Sequence, residues 1–166
     1  MFYISEFINK EITGRSRSMF ENDVESNSEV LRAGISGKKL LVIGGAGTIG
    51  SSFISAMLKF EPAELFVIDN DENGLTELTR DIRSRYDLKV PDVYRSYPMD
   101  FGDAVFEKLL AKEGPFDIVA NFAAHKHVRS EKDHYSIEAM FRNNVLKARR
   151  LLDLLLDHPP DHFFCV

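Results

Sequence analysis

The stretch Leu40-Leu41-Val42-Ile43-Gly44-Gly45-Ala46-Gly47-Thr48-Ile49-Gly50 decides the reading of the whole chain. Four consecutive apolar residues running into a glycine cluster predict a strand covered on both faces. Behind the glycines, Ile49, Phe53, Ile54, Met57 and Leu58 recur at helical spacing until Glu61-Pro62, which predicts a helix. Between the two, Gly44, Gly47 and Gly50 form a G-x-x-G-x-x-G turn. A ligand carrying phosphates needs these features in this order. The turn must be tight, the backbone must come close, and the helix start supplies free N–H groups and the positive end of its dipole.

Leu65-Phe66-Val67-Ile68 predicts a second strand, and Asp69 follows it 19 residues after Gly50. A carboxylate about 20 residues beyond the glycines is placed to hold the adenosine ribose of a dinucleotide. Asn70 follows it where an arginine would accommodate a 2′-phosphate, so NAD is favoured over NADP as the cofactor. Arg80, Arg83 and Arg85 on the next helix read most simply as a solvated face. The rival phosphate-binding loop of NTPases requires Gly-Lys-Ser/Thr, whereas Gly50 is followed by Ser51-Ser52.

Working outward, Leu75, Leu78, Ile82 and Tyr86 predict a second helix and Val93–Tyr97 a third strand. Phe106, Leu109 and Leu110 suit a short helix, Phe116–Ala120 a fourth strand, Ile137–Leu156 a long helix, and Phe163–Val166 the opening of a fifth strand. Strands alternating with helices give an α/β fold, a doubly wound parallel sheet that here is truncated at its fifth strand. This assigns residues 38–166 to the domain. Residues 1–37 read as an arm and linker, irregular from Arg15 to Asn27. Phe2, Ile4, Phe7, Ile8 and Ile12 leave two readings of the arm, a short helix packed on the domain or a neighbouring subunit, or a loosely attached tail.

A formal net charge of -5 argues against a nucleic-acid or anionic-lipid partner. No secretion signal opens the chain, and no apolar run approaches the roughly 20 residues of a membrane span. The single cysteine, Cys165, sits in Phe163-Phe164-Cys165-Val166 and reads as a small buried hydrophobe, consistent with a reducing, cytoplasmic location. His125, His127 and His134 lack a zinc-site spacing, so no metal is expected.

Further motifs widen the picture: Gly37-Lys38-Lys39 before the first strand, Asp69-Asn70-Asp71-Glu72, Met99-Asp100, Ala123-Ala124-His125-Lys126-His127-Val128 and Asn143-Asn144-Val145-Leu146. On these the chain resembles the extended short-chain dehydrogenase/reductase superfamily. Within it, the likeness is to the bacterial polysaccharide-biosynthesis nucleotide-sugar 4,6-dehydratases and epimerases that act on UDP-N-acetylglucosamine and related sugars. The resemblance implies an NAD(P)-binding Rossmann domain of such an enzyme, a UDP-sugar substrate and a homo-oligomer. It implies that Gly44, Gly47, Thr48 and Ile49 meet the pyrophosphate, Asp69 and Asn70 the adenosine ribose, and Asp100 and Phe101 the adenine. Ala123 and Ala124 are then expected beside the nicotinamide ribose, Lys126 close to nicotinamide or substrate, and Asn144 in support from the long helix.

One departure bears on activity. The family carries a Tyr-x-x-x-Lys segment beyond the fifth strand, but four residues after Tyr3, Tyr86, Tyr94, Tyr97 and Tyr135 stand Phe7, Val90, Pro98, Phe101 and Ala139. No catalytic residue is therefore assigned, and residues 1–166 alone are expected to be inactive. The alternative is a complete, non-catalytic dinucleotide-binding regulatory module. The end of the sequence inside a strand favours part of an enzyme. Lys147, Arg149 and Arg150 read as the charged face of an amphipathic helix, with a subunit interface as a second use.

Overall fold

A computed structural model describes residues 4–15, 17–126 and 133–166. Phe2 of the arm and His127-Val128 of the alanine-lysine motif lie outside the described residues. The chain divides into two units, Met1–Gly34 and Ile35–Val166, three residues from the boundary expected at 37.

In the second unit, β1 (Lys39–Ile43) lies between β2 (Glu64–Asp69) and β4 (Ile118–Asn121), with β3 (Val93–Pro98) and β5 (His162–Cys165) at the edges. The order is β3-β2-β1-β4-β5 and every pairing is parallel. Parallel neighbours need long crossovers, here made by α4 (Thr48–Leu58), α5 (Glu72–Ser84) and α6 (Ala104–Glu113). The last crossover is a composite helix: α7 (His134–Phe141), a π-helical turn (Arg142–Lys147) and α8 (Ala148–Leu155).

Alternation along the strands sorts side chains to two faces. On one face Leu41, Ile43, Phe66 and Ile68 pack with Phe106 and Leu109 of α6 and Leu151 and Leu155 of α8. On the other, Val42 and Val67 converge on Ile54 of α4 around Gly45. Leu41, Val42 and Val67 are fully enclosed, and burying each such side chain contributes roughly 1.5–3 kcal/mol. That two-sided burial is why the central strands read as unbroken apolar runs.

Three expectations need correction, those for Arg15–Asn27, Tyr86 and Cys165. Arg15–Asn27 is not irregular throughout: α2 (Glu21–Ser26) forms there, followed by α3 (Ser28–Ile35). Glu21 and Asp23 in its first turn favour the helix through its dipole, and because α2 buries no residue it has no apolar stripe to announce it. In the arm, α1 (Ile4–Phe7) continues into a π-helical turn, Ile8–Thr13, closed by Gly14 at φ +61°. Tyr86 falls beyond the end of α5 and is fully exposed. Cys165 is exposed, not buried, because β5 pairs only with β4 and all four of its residues remain open to solvent.

Candidate dinucleotide-binding site

The order of the sheet places a switch point at β1, whose neighbours belong to crossovers running in opposite directions. Loops leaving the carboxyl ends of β1 and β4 must part there, and this is where open α/β sheets hold ligands. A cavity of about 400 Å³ occupies the place.

The glycine loop is shaped by backbone packing. Gly44 has φ +75°, and a Cβ on it would stand 2.5 Å from Ala123 N and 2.7 Å from Phe122 C. A Cβ on Gly50 would stand 2.2 Å from Gly44 O, so the helix start rests on the loop with no room for a side chain. Gly47 differs: its backbone is extended (φ −68°, ψ 162°) and its nearest neighbour would be Gly44 O at 3.5 Å. Among the described residues nothing demands a glycine at 47. It lines the cavity, where lack of a side chain leaves the backbone open to a ligand. No side chain caps α4, so its leading N–H groups remain available to an anion.

Asp69 at the end of β2 holds this loop. Its Oδ2 accepts from the Ala46 N–H at 2.9 Å and its Oδ1 from the Asp71 N–H at 3.0 Å. Asp71 in turn caps α5 by accepting from the Gly74 N–H. Gly44, Gly47 and Thr48, together with Asp69, Asn70 and Phe101, line this part of the cavity. Ile49 does not; it sits on α4, half-exposed. Asp100 stands outside the lining, accepting from the Gly102 N–H at 2.7 Å and from the Lys147 ammonium. Burial alone raises its pKa, but hydrogen bonds from Lys147, Gly102 and Asn70 outweigh that and hold the carboxyl below its ordinary range.

The facing wall follows β4, where Ala123, Ala124 and Lys126 line the cavity beside His125. Buried Asn121 accepts from the Ala123 N–H at 3.0 Å, and buried Asn143 donates to Ala123 O at 3.3 Å. Asn144 makes a paired contact: Oδ1 accepts from the His125 N–H and Nδ2 donates to His125 O, both at 2.8 Å. It therefore holds the loop and does not line the cavity. The His134 ring lies tilted against that of Tyr135, and among the described residues no three His, Cys, Asp or Glu side chains gather as a metal site.

Arg80 pairs with Glu77 and Arg85 with Asp87, while Arg83 lies over the Tyr94 ring; none lines the cavity. Sequence reasoning missed Asn121, Asn143 and the reach of Lys147. The Asn143-Asn144 pair inside an otherwise helical stretch was the available signal, since asparagine is a poor interior helix residue.

The family described as "Polysaccharide biosynthesis protein" matches residues 40–166. An uncharacterised membrane protein of Methanocaldococcus jannaschii is 30% identical over 129 residues, which are 78% of this chain and 35% of that protein. Among solved structures, the UDP-Glc/GlcNAc 4-epimerase from Campylobacter jejuni aligns with a TM-score of 0.62 and 26% identity, covering 78% of this chain and 36% of the epimerase. The Bordetella bronchiseptica enzyme WbmF, solved with NAD+ and UDP, aligns at 0.58 and 20% over 79% of this chain and 36% of its own. That last likeness is one of fold. The present chain thus spans little more than a third of each. Among its described residues no helix is long and apolar enough to cross a membrane. With the strand order, the glycine loop and a match running from the second residue of β1 to Val166, the chain belongs to the polysaccharide biosynthesis protein family.

Proposed function

We propose that this chain is the nicotinamide-dinucleotide-binding part of a nucleotide-sugar 4,6-dehydratase or epimerase acting on a UDP-linked N-acetylhexosamine, with NAD preferred to NADP. The observation that carries the reading is Gly47: among the described residues a Cβ there would meet only Gly44 O, at 3.5 Å, and the residue lines the cavity beside an uncapped helix start. The residues present fit such a cofactor. The N–H groups at the uncapped start of α4, from Thr48 and Ile49, receive the pyrophosphate where Gly44 and Gly47 leave the backbone bare, the Asp69 carboxylate accepts from ribose hydroxyls, and Phe101 with Met99 supplies an apolar surface for the base. Ala123 and Ala124 keep side-chain bulk away from the second ribose, and the Lys126 ammonium brings positive charge to that end. When bound, the cofactor supplies reversible hydride transfer, and the protein contributes position and electrostatics.

The preference for NAD follows from charge. Asp69, Asn70 and Asp71 line the end where a 2′-phosphate would lie, and among the described residues no arginine lines the cavity to neutralise it. Because residues 1–166 contain no Tyr-x-x-x-Lys, binding without turnover is the behaviour assigned to this chain alone.

Calorimetric titration of NAD and of NADP into the chain, and into Asp69→Asn, tests the proposal. NAD is expected to bind at micromolar concentration and NADP about tenfold more weakly, a difference of about 1.4 kcal/mol, with Asp69→Asn narrowing that gap. Failure of both dinucleotides to bind would refute it.

A further inference from the structure

The π-helical turn Arg142–Lys147 carries three side chains that leave it for the surroundings of the cleft. Asn143 and Asn144 reach the loop after β4. Lys147 reaches the turn after β3, where its ammonium meets Asp100. These loops follow strands that are not neighbours, since β2 and β1 lie between β3 and β4. The π turn therefore bridges two parts of the cleft that the sheet joins only through intervening strands. Such turns, with their extra residue, are frequent at functional sites.

Lys147 is held along its whole length. A Cβ on Gly102 would fall 2.8 Å from Lys147 Cδ and 2.9 Å from Cε, so the lysine stem lies across the glycine. Its Nζ stands 5.7 Å from the centroid of the Phe101 ring. Phe101 is buried, meets Phe106 edge-on and lines the cavity. Arg149 offers the contrast of an ordinary solvated cation, pairing with Asp153 on its own helix. Lys147 instead spends its charge away from its helix, with little more than a quarter of its side chain exposed.

We infer that Lys147 is a positioning residue: it fastens the Asp100–Gly102 turn to the helical turn that grips Ala123 and His125, so that the two parts of the cleft keep one relative placement. The coupling itself is independent of any ligand, while its benefit to an adenine nucleotide rests on the function proposed above.

The test uses the 166-residue chain, with amide exchange followed residue by residue by NMR and with ADP-ribose titrated as the probe. Lys147→Met keeps the stem and removes the charge, Gly102→Ala displaces the stem with the lysine intact, and Lys147→Arg restores a cation. Lys147→Met is expected to speed exchange about tenfold at Gly102 and also at His125, more than the roughly fivefold that a global loss of about 1 kcal/mol gives the Leu41 amide of β1. ADP-ribose binding is expected to weaken about fivefold in Lys147→Met and in Gly102→Ala, and to recover in Lys147→Arg. Exchange at His125 raised no more than at Leu41 in Lys147→Met would overturn the coupling and leave the lysine a local partner of Asp100. If the unaltered chain does not bind ADP-ribose, the proposed function fails, while the exchange data still decide the coupling.

Discussion

On the glycine-loop side of the cleft backbone packs against backbone, with Gly44 against Ala123 and Gly50 against Gly44. On the facing side the loop after β4 is held by side-chain amides, those of Asn121, Asn143 and Asn144. The first arrangement works only without a Cβ and is therefore written in residue type. The second needs hydrogen-bonding side chains that come from β4 and from a helix about 20 residues downstream, and many sequences could supply them. The difference teaches where stability and binding separate. Gly44 and Gly50 are glycines because the protein fills the space, and Gly47 is a glycine although the described residues leave room for a Cβ.

Gly44→Ala strikes that contrast hardest. A Cβ at positive φ against the Ala123 backbone is expected to cost about 3 kcal/mol in urea unfolding, from strain and overpacking together. Gly47→Ala should leave the unfolding midpoint where it is and weaken NAD about tenfold, or about 1.4 kcal/mol by calorimetry. Equal destabilisation by the two alanines would break the distinction.

A smaller effect is read in pH. The Asp100 carboxyl is held below its ordinary value of 3.8, burial opposing and the Lys147, Gly102 and Asn70 hydrogen bonds prevailing. A depressed carboxyl stabilises the fold fully above its unfolded value and loses that contribution as pH falls through the folded one. Lys147→Met should thus cost about 1 kcal/mol at pH 7, and the gap from the unaltered chain should begin to narrow as pH falls below about 4. A gap that does not narrow with falling pH would assign the loss to packing of the stem. The smallest change is Arg142→Ala: its pair with Glu138 is exposed at both ends, and thermal unfolding should register less than about 0.5 kcal/mol.

Much of the fold was legible because its strands are short, apolar and punctuated. Leu40–Ile43 and Leu65–Ile68 are covered on both faces, and the structure extends β2 by one residue at each end. Legibility failed where burial gave no pattern. The helix α2 buries nothing, Tyr86 continued a periodicity that the chain had already left, and the exposure of Cys165 follows from edge position, which residue type cannot express. In the site, Gly44, Gly47 and Asp69 were readable because spacing along the chain matches the geometry of one strand–turn–helix unit. Asn143 and Lys147 were not, because their partners Ala123 and Asp100 lie 20 and 47 residues away.

By itself, the sequence determined the alternation of strand and helix, the glycine turn and the acidic end of β2, since each depends on local sterics, periodicity or a fixed short spacing. Only the tertiary structure decided which glycine faces empty space, which asparagine holds a loop and where the lysine of the π turn spends its charge. Those outcomes depend on which distant segments the sheet order brings together, and side-chain chemistry alone does not specify that.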